Sequence, residues 1–108
     1  MVNILLICTS GISTRKVVEN MREHAKKLKV DVEVNSIGDA EKTTKIYDAD
    51  IILLGPQIRY TIDEVKALVK DSDVQKVKVM NSQDYGLLRG DLILNDALHS
   101  LGIYLWLW

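Results

Sequence analysis

Two short, unbroken apolar runs, Asn3-Ile-Leu-Leu-Ile7 and Asp50-Ile-Ile-Leu-Leu54, constrain the fold more than any other feature of the sequence. Each ends abruptly, the first in Cys8-Thr-Ser-Gly11 and the second in Gly55-Pro56. A run this short reads as a strand, and a strand apolar at every position is buried on both faces. That is the pattern of a parallel sheet covered by helices. Two further strands are more polar. Val30, Val32 and Val34 alternate with Asp31, Glu33 and Asn35, as in a half-buried strand toward an edge, and Lys76-Val-Lys-Val-Met80 is similar.

Between the strands the period changes. Val17, Met21, Ala25 and Leu28 recur at helical spacing behind a cap at Ser10 or Ser13. Ile58, Ile62, Val65 and Leu68 or Val69 mark a second amphipathic helix, and the polar stretch 39–47 has room for a short one. A loop with Asn81, Gln83, Tyr85 and Gly86 leads to a last helix from near Asp91, with Leu94, Ala97, Leu98 and Leu101 inward and Gly102 as its stop. Strands alternating with helices through short connections imply right-handed crossovers. The expected fold is α/β: a four-stranded parallel sheet of order 2-1-3-4, doubly wound with helices on both faces in three layers. The two most apolar strands are then central. Ligands in such sheets bind beyond the carboxyl ends of the strands, where the winding reverses. Here that crevice lies between residues 8–14 and 55–60.

The 108 residues are 47% hydrophobic and carry a net charge of −1, enough apolar material for one core over residues 1–102 and no bulk attraction to nucleic acid or anionic lipid. An apolar tail, 103–108, holds both tryptophans and has no assigned role. No run is long enough to span a bilayer and no basic leader precedes the first strand, so a cytoplasmic chain without membrane insertion is expected. The single cysteine excludes an internal disulfide. His24 and His99 have no partners at ligand spacing, and neither a metal nor a cofactor is indicated.

Chemistry concentrates in Cys8-Thr-Ser-Gly-Ile-Ser-Thr-Arg15. A thiol between a central strand and a helix start meets unpaired N–H groups and the positive end of a helix dipole, which favour a thiolate and a bound phosphate. Gly11 allows a tight turn, and Thr9, Ser10, Ser13 and Thr14 add hydroxyls. No acidic residue precedes Glu19, while Arg15 and Lys16 occupy the first helical turn against the dipole. An anion in the loop would relieve that conflict. The competing reading makes Cys8 a small buried apolar side chain. Gln57, Arg59 and Tyr60, after Pro56, would face the same crevice and are candidates for phosphate or partner contact; a turn followed by an ordinary helix start accounts for the segment equally well.

The opening Asn-Ile-Leu-Leu-Ile-Cys with its Ser-Gly-Ile-Ser-Thr loop, Leu-Leu-Gly-Pro-Gln-Ile-Arg-Tyr60 and Tyr85-Gly-Leu-Leu-Arg-Gly90 together resemble one family over roughly residues 2–101. It is the enzyme IIB components of the phosphoenolpyruvate-dependent sugar phosphotransferase system, lactose/cellobiose (chitobiose) class, of flavodoxin-like architecture. The resemblance implies that Cys8 is phosphorylated by a phosphohistidine of enzyme IIA and passes the group to a sugar, a β-linked disaccharide such as cellobiose, lactose or chitobiose, held by membrane enzyme IIC. Loop amides of Thr9, Ser10, Gly11, Ile12, Ser13 and Thr14 would hold the phosphate. Arg15, Pro56, Gln57, Arg59, Tyr60 and Tyr85 are candidate phosphate or partner contacts.

Two other readings compete. Low-molecular-weight tyrosine phosphatases and related arsenate reductases also use a cysteine in a phosphate loop after the first strand. They place an arginine six residues after it, where this chain has Thr14; Arg15 is turned about 100° further round a helix. They also use a late Asp-Pro acid, and the one proline here is Pro56. A non-catalytic flavodoxin-like binding module is the other alternative. A receiver domain would need an acidic pair after the first strand, which is missing.

Overall fold

The computed structural model describes residues 2–8, 12–38, 49–69 and 71–102, with backbone alone at 12, 13, 71 and 72. The short helix expected at 39–47 and the tail at 103–108 lie outside the described residues. Four strands, β1 (Val2–Cys8), β2 (Val32–Gly38), β3 (Ile51–Leu54) and β4 (Val77–Val79), form one sheet of order β2-β1-β3-β4. Every pairing is parallel. Among the described residues four α-helices follow the chain as α1 (Ile12–Leu28), α2 (Ile62–Leu68), α3 (Ser82–Gly86) and α4 (Gly90–Ser100), and 3-10 segments span Pro56–Thr61 and Asp71–Lys76.

The central strands are those with unbroken apolar runs, because only they have a layer on each side. In β1 the side chains alternate between two cores. Ile4, Leu6 and Cys8 join Val34, Ile51 and Leu53 under α1 and α4. Leu5 and Ile7 join Ile52, Leu54, Ile58 and Val65 on the α2 side. That alternation sends Cys8 toward α1 and α4, and so decides which residues can reach it. The edge strands differ from expectation at their ends. β2 runs on to Gly38 and buries Val34 and Ile37, three apart, and β4 is three residues long.

Two helical expectations also differ. α1 begins at Ile12, so Ser13 lies inside its first turn and is not the cap. The stretch expected as a loop at 81–86 is a helix, because the Asn81 side chain accepts from the N–H groups of Gln83 (2.9 Å) and Asp84 (3.0 Å). The last helix is as expected: it starts at Gly90, next to Asp91, and Gly102 stops it with φ of 78°.

Both α1 and α3 end in Schellman caps. The Lys29 N–H bonds Lys26 O (3.2 Å) and the Val30 N–H bonds Ala25 O (3.2 Å); after α3, Leu88 bonds Tyr85 O (3.1 Å) and Arg89 bonds Asp84 O (2.8 Å). Both caps place a non-glycine residue in the left-handed region, Lys29 and Leu88, each with φ of 57°. Leu88 packs on the core, whereas Lys29 is exposed. Lys29→Gly is therefore expected to stabilise the fold by about 0.5–1 kcal/mol by removing left-handed strain. Thermal unfolding should show Tm higher by roughly 3–6 °C; an unchanged or lower Tm would contradict this.

Candidate functional site

Cys8 ends β1 at the carboxyl edge of the sheet, paired across to Gly38 of β2, with a side chain only 2% exposed. On its other side β3 runs in register, Ile7 opposite Leu54, so Gly55 follows beside Cys8. The Gly55 N–H bonds Ile7 O (2.8 Å) and also reaches the sulfur. Gly55 has an ordinary extended backbone, so glycine is needed there for space. A Cβ would stand 3.2 Å from Cys8 Sγ and 3.1 Å from Gln57 Oε1.

Two hydroxyls complete the surroundings. Thr14, in the first turn of α1 and 5% exposed, and Tyr85 of α3, 6% exposed, both come within hydrogen-bond reach of the thiol. Their oxygens, Thr14 Oγ1 and Tyr85 Oη, are 2.8 Å apart. Gln57 reaches the same phenol from an exposed position. Three stretches distant in sequence thus converge at one sulfur: the end of β1 with the start of α1, the end of β3, and α3.

Burial pushes the Cys8 thiol above its ordinary value, and bonds from Thr14, Tyr85 and Gly55 pull it only part of the way back. The sequence points to a thiolate favoured by loop amides; among the described residues the opposing effect, desolvation, is larger than that of the three donors. Because the native value lies above that of the unfolded chain, its contribution to stability is full below the ordinary thiol range. It is lost as pH rises through the native value. The Tyr85 phenol is likewise pushed up, mainly by burial.

Of the residues singled out in the sequence, Cys8, Thr14, Gln57 and Tyr85 come together. Pro56 opens the 3-10 segment and is half-buried. Arg15 and Arg59 are exposed, Tyr60 is 80% exposed, and none of the three is among the groups bonded to the thiol. Thr9, Ser10 and Gly11 lie outside the described residues, as do the side chains of Ile12 and Ser13. Sequence reasoning overlooked Gly55 as a site residue. The signal was there in the matched ends of the two buried strands, which place the residues after Ile7 and Leu54 side by side. The contrast between Thr14, turned inward to the sulfur, and exposed Arg15 also separates this site from a phosphatase loop, which needs its guanidinium at the inward position.

Among the described residues, no helix is long and apolar enough to cross a membrane. Comparison with known proteins agrees in sequence and in fold. The family model described as the lactose/cellobiose-specific IIB subunit of the PTS system matches residues 3–96. The chain is 31% identical over 98 residues to the PTS system oligo-beta-mannoside-specific EIIB component of Bacillus subtilis (strain 168), covering 91% of this chain and 94% of that protein. It is also 31% identical over 99 residues to the PTS system galactose-specific EIIB component of Lactococcus lactis subsp. cremoris (strain MG1363), covering 87% and 91%. The lactose-specific IIB component domain from Streptococcus pneumoniae superposes with a TM-score of 0.79 at 21% identity, covering 92% of this chain and 96% of that one, a likeness of fold. With its four-stranded parallel order and a match over nearly its whole length, this chain belongs to the lactose/cellobiose-specific IIB subunit family of the PTS system.

Proposed function

We propose that this chain is a cytoplasmic phosphocarrier that accepts a phosphoryl group on Cys8 from a phosphohistidine of enzyme IIA. It then transfers the group to a sugar held by membrane enzyme IIC, a β-linked disaccharide such as cellobiose, lactose or chitobiose. The observation that carries this reading is the placement of the chain's one thiol at the carboxyl end of a central strand, with three hydrogen-bond donors around it. Residues 9–14, which run from the end of that strand into the first turn of α1, would supply amides for the phosphate oxygens.

The chemistry is a symmetrical exchange. In the first step the sulfur attacks phosphorus, the S–P bond forms and the P–N bond breaks. The departing imidazole nitrogen keeps the bonding electron pair and takes the proton of the thiol. In the second step a sugar hydroxyl oxygen attacks, the O–P bond forms, the S–P bond breaks, and the hydroxyl proton returns to sulfur. The proton transferred in each step lets the leaving group depart neutral. Little covalent chemistry is asked of the protein beyond positioning and charge stabilisation.

The direct test is intact mass after incubation with phosphoenolpyruvate, the upstream phosphotransferase proteins and a matching enzyme IIA. One added phosphoryl group, mapped to the Cys8 peptide, is the expected result. No adduct while enzyme IIA is demonstrably phosphorylated, repeated with a second cognate enzyme IIA, would overturn the reading.

A further inference from the structure

Tyr85 has more polar company than a core tyrosine requires. A buried phenol is satisfied by one partner; this one meets the Thr14 hydroxyl at 2.8 Å, the Cys8 thiol and the Gln57 side chain. It is also held firmly. The Asn81 cap starts its helix, the Schellman bonds close it, and Asn20 Nδ2 of α1 donates to Leu88 O (2.8 Å) just beyond. Fixing a five-residue helix at both ends fixes where the phenol points.

We propose that Tyr85, paired with Thr14, is a positioning residue for group transfer at Cys8, its O–H directed at the sulfur as charge develops there. The proposal rests on the phosphocarrier reading and assigns that site a residue from the far end of the chain. The phenolic hydrogen has two acceptors within reach, the sulfur and Thr14 Oγ1. When the thiol proton moves to the departing imidazole, the sulfur gains negative character, and an O–H aimed at it favours that charged form. Both hydroxyls lower the Cys8 thiol against the larger effect of burial, in agreement with that direction. Among the described residues the titratable group beside the sulfur is Tyr85 itself; the exposed Arg15 and Arg59 do not bond it.

Tyr85→Phe removes the hydroxyl and keeps the ring. Because the chain has one cysteine, selective carbon-13 labelling of Cys Cβ gives a single signal whose pH titration reads the thiol directly. The expected result is a titration moved to higher pH in Tyr85→Phe and in Thr14→Val, with Thr14→Ser returning toward the parent. Phosphoryl transfer from phosphorylated enzyme IIA should slow by about ten- to a hundredfold in Tyr85→Phe, the value of one hydrogen bond to a charged atom, with the loss in kcat and not in KM. A folded Tyr85→Phe whose Cys8 titration superimposes on the parent overturns the proposal, and should that variant fail to fold, superimposable Thr14→Val and Thr14→Ser titrations do the same. A parent chain that accepts no phosphoryl group overturns the phosphocarrier reading and with it the transfer role. A shifted titration in that case would still assign Tyr85 to the thiol.

Discussion

Cys8→Ser should fold as the parent does and accept no phosphoryl group at a measurable rate. Serine is slightly smaller than cysteine, and the site already surrounds the side chain with Thr14, Tyr85 and the Gly55 N–H, so a hydroxyl there has partners. The cost to stability is therefore about 1 kcal/mol, from packing lost around a side chain 2% exposed. The chemical cost is far larger. A serine hydroxyl ionises many orders of magnitude less readily than a thiol and has no adjacent base among the described residues, so transfer falls on the order of a thousandfold or more. If Cys8 were simply a buried apolar residue, the substitution would move Tm and leave phosphoryl acceptance intact. Melting curves together with time courses of intact mass separate the two cases. Serine phosphorylated at the parental rate would sink the assignment of Cys8.

Gly90→Ala is expected to be among the most destabilising single changes available in this chain. Gly90 is the first residue of α4, where that helix crosses α1. An added Cβ would lie 2.6 Å from Met21 N, 2.7 Å from Asn20 Cβ and 2.7 Å from Val17 O. Two of these are backbone atoms inside a seventeen-residue helix, so relief requires separating the helices and opening the core of Val17, Met21, Ile93 and Leu94. Overpacking of this kind costs about 1–3 kcal/mol or more, a large share of the ~5–15 kcal/mol that holds a small domain folded. Gly86, four residues earlier, is the control. Nothing lies within 4 Å of its Cβ position, and alanine there should be neutral or gain about 0.5–1 kcal/mol. Urea unfolding of the two variants should differ by at least about 2 kcal/mol, with Gly90→Ala the weaker. Equal midpoints would mean that α1 and α4 do not approach as closely as described.

The architecture was legible because hydrophobic pattern and topology constrain each other. Two strands without polar positions must be central, right-handed crossovers then fix the order, and the reversal of winding falls where Cys8 and Gly55 stand side by side. Cys8 was visible for the same reason: a nucleophilic side chain at the carboxyl end of a central strand. What escaped was local. Five residues around Tyr85 look like a loop because their helix depends on an Asn81 cap and a Schellman stop with leucine in the left-handed region, where glycine is the usual signal. The upward push of burial on the Cys8 thiol is not legible either, because helix-dipole and amide donors can be read from sequence whereas depth of burial cannot.

By itself, then, the amino-acid sequence determined the order of the strands, the two central ones, and the end of the sheet at which the thiol stands. These follow from the two-residue period of a strand and the handedness of its crossovers, both properties of the chain's covalent chemistry. Tertiary structure alone decided what surrounds the sulfur. It chose Thr14 over Arg15 to face inward, brought Tyr85 across 71 positions to meet it, and set the Gly55 N–H beside it through the register of β1 and β3. It also decided which glycine of Tyr85-Gly-Leu-Leu-Arg-Gly90 has no room for a methyl group. Each of these depends on distances between elements remote in sequence, and those distances exist only once the helices have packed on the sheet.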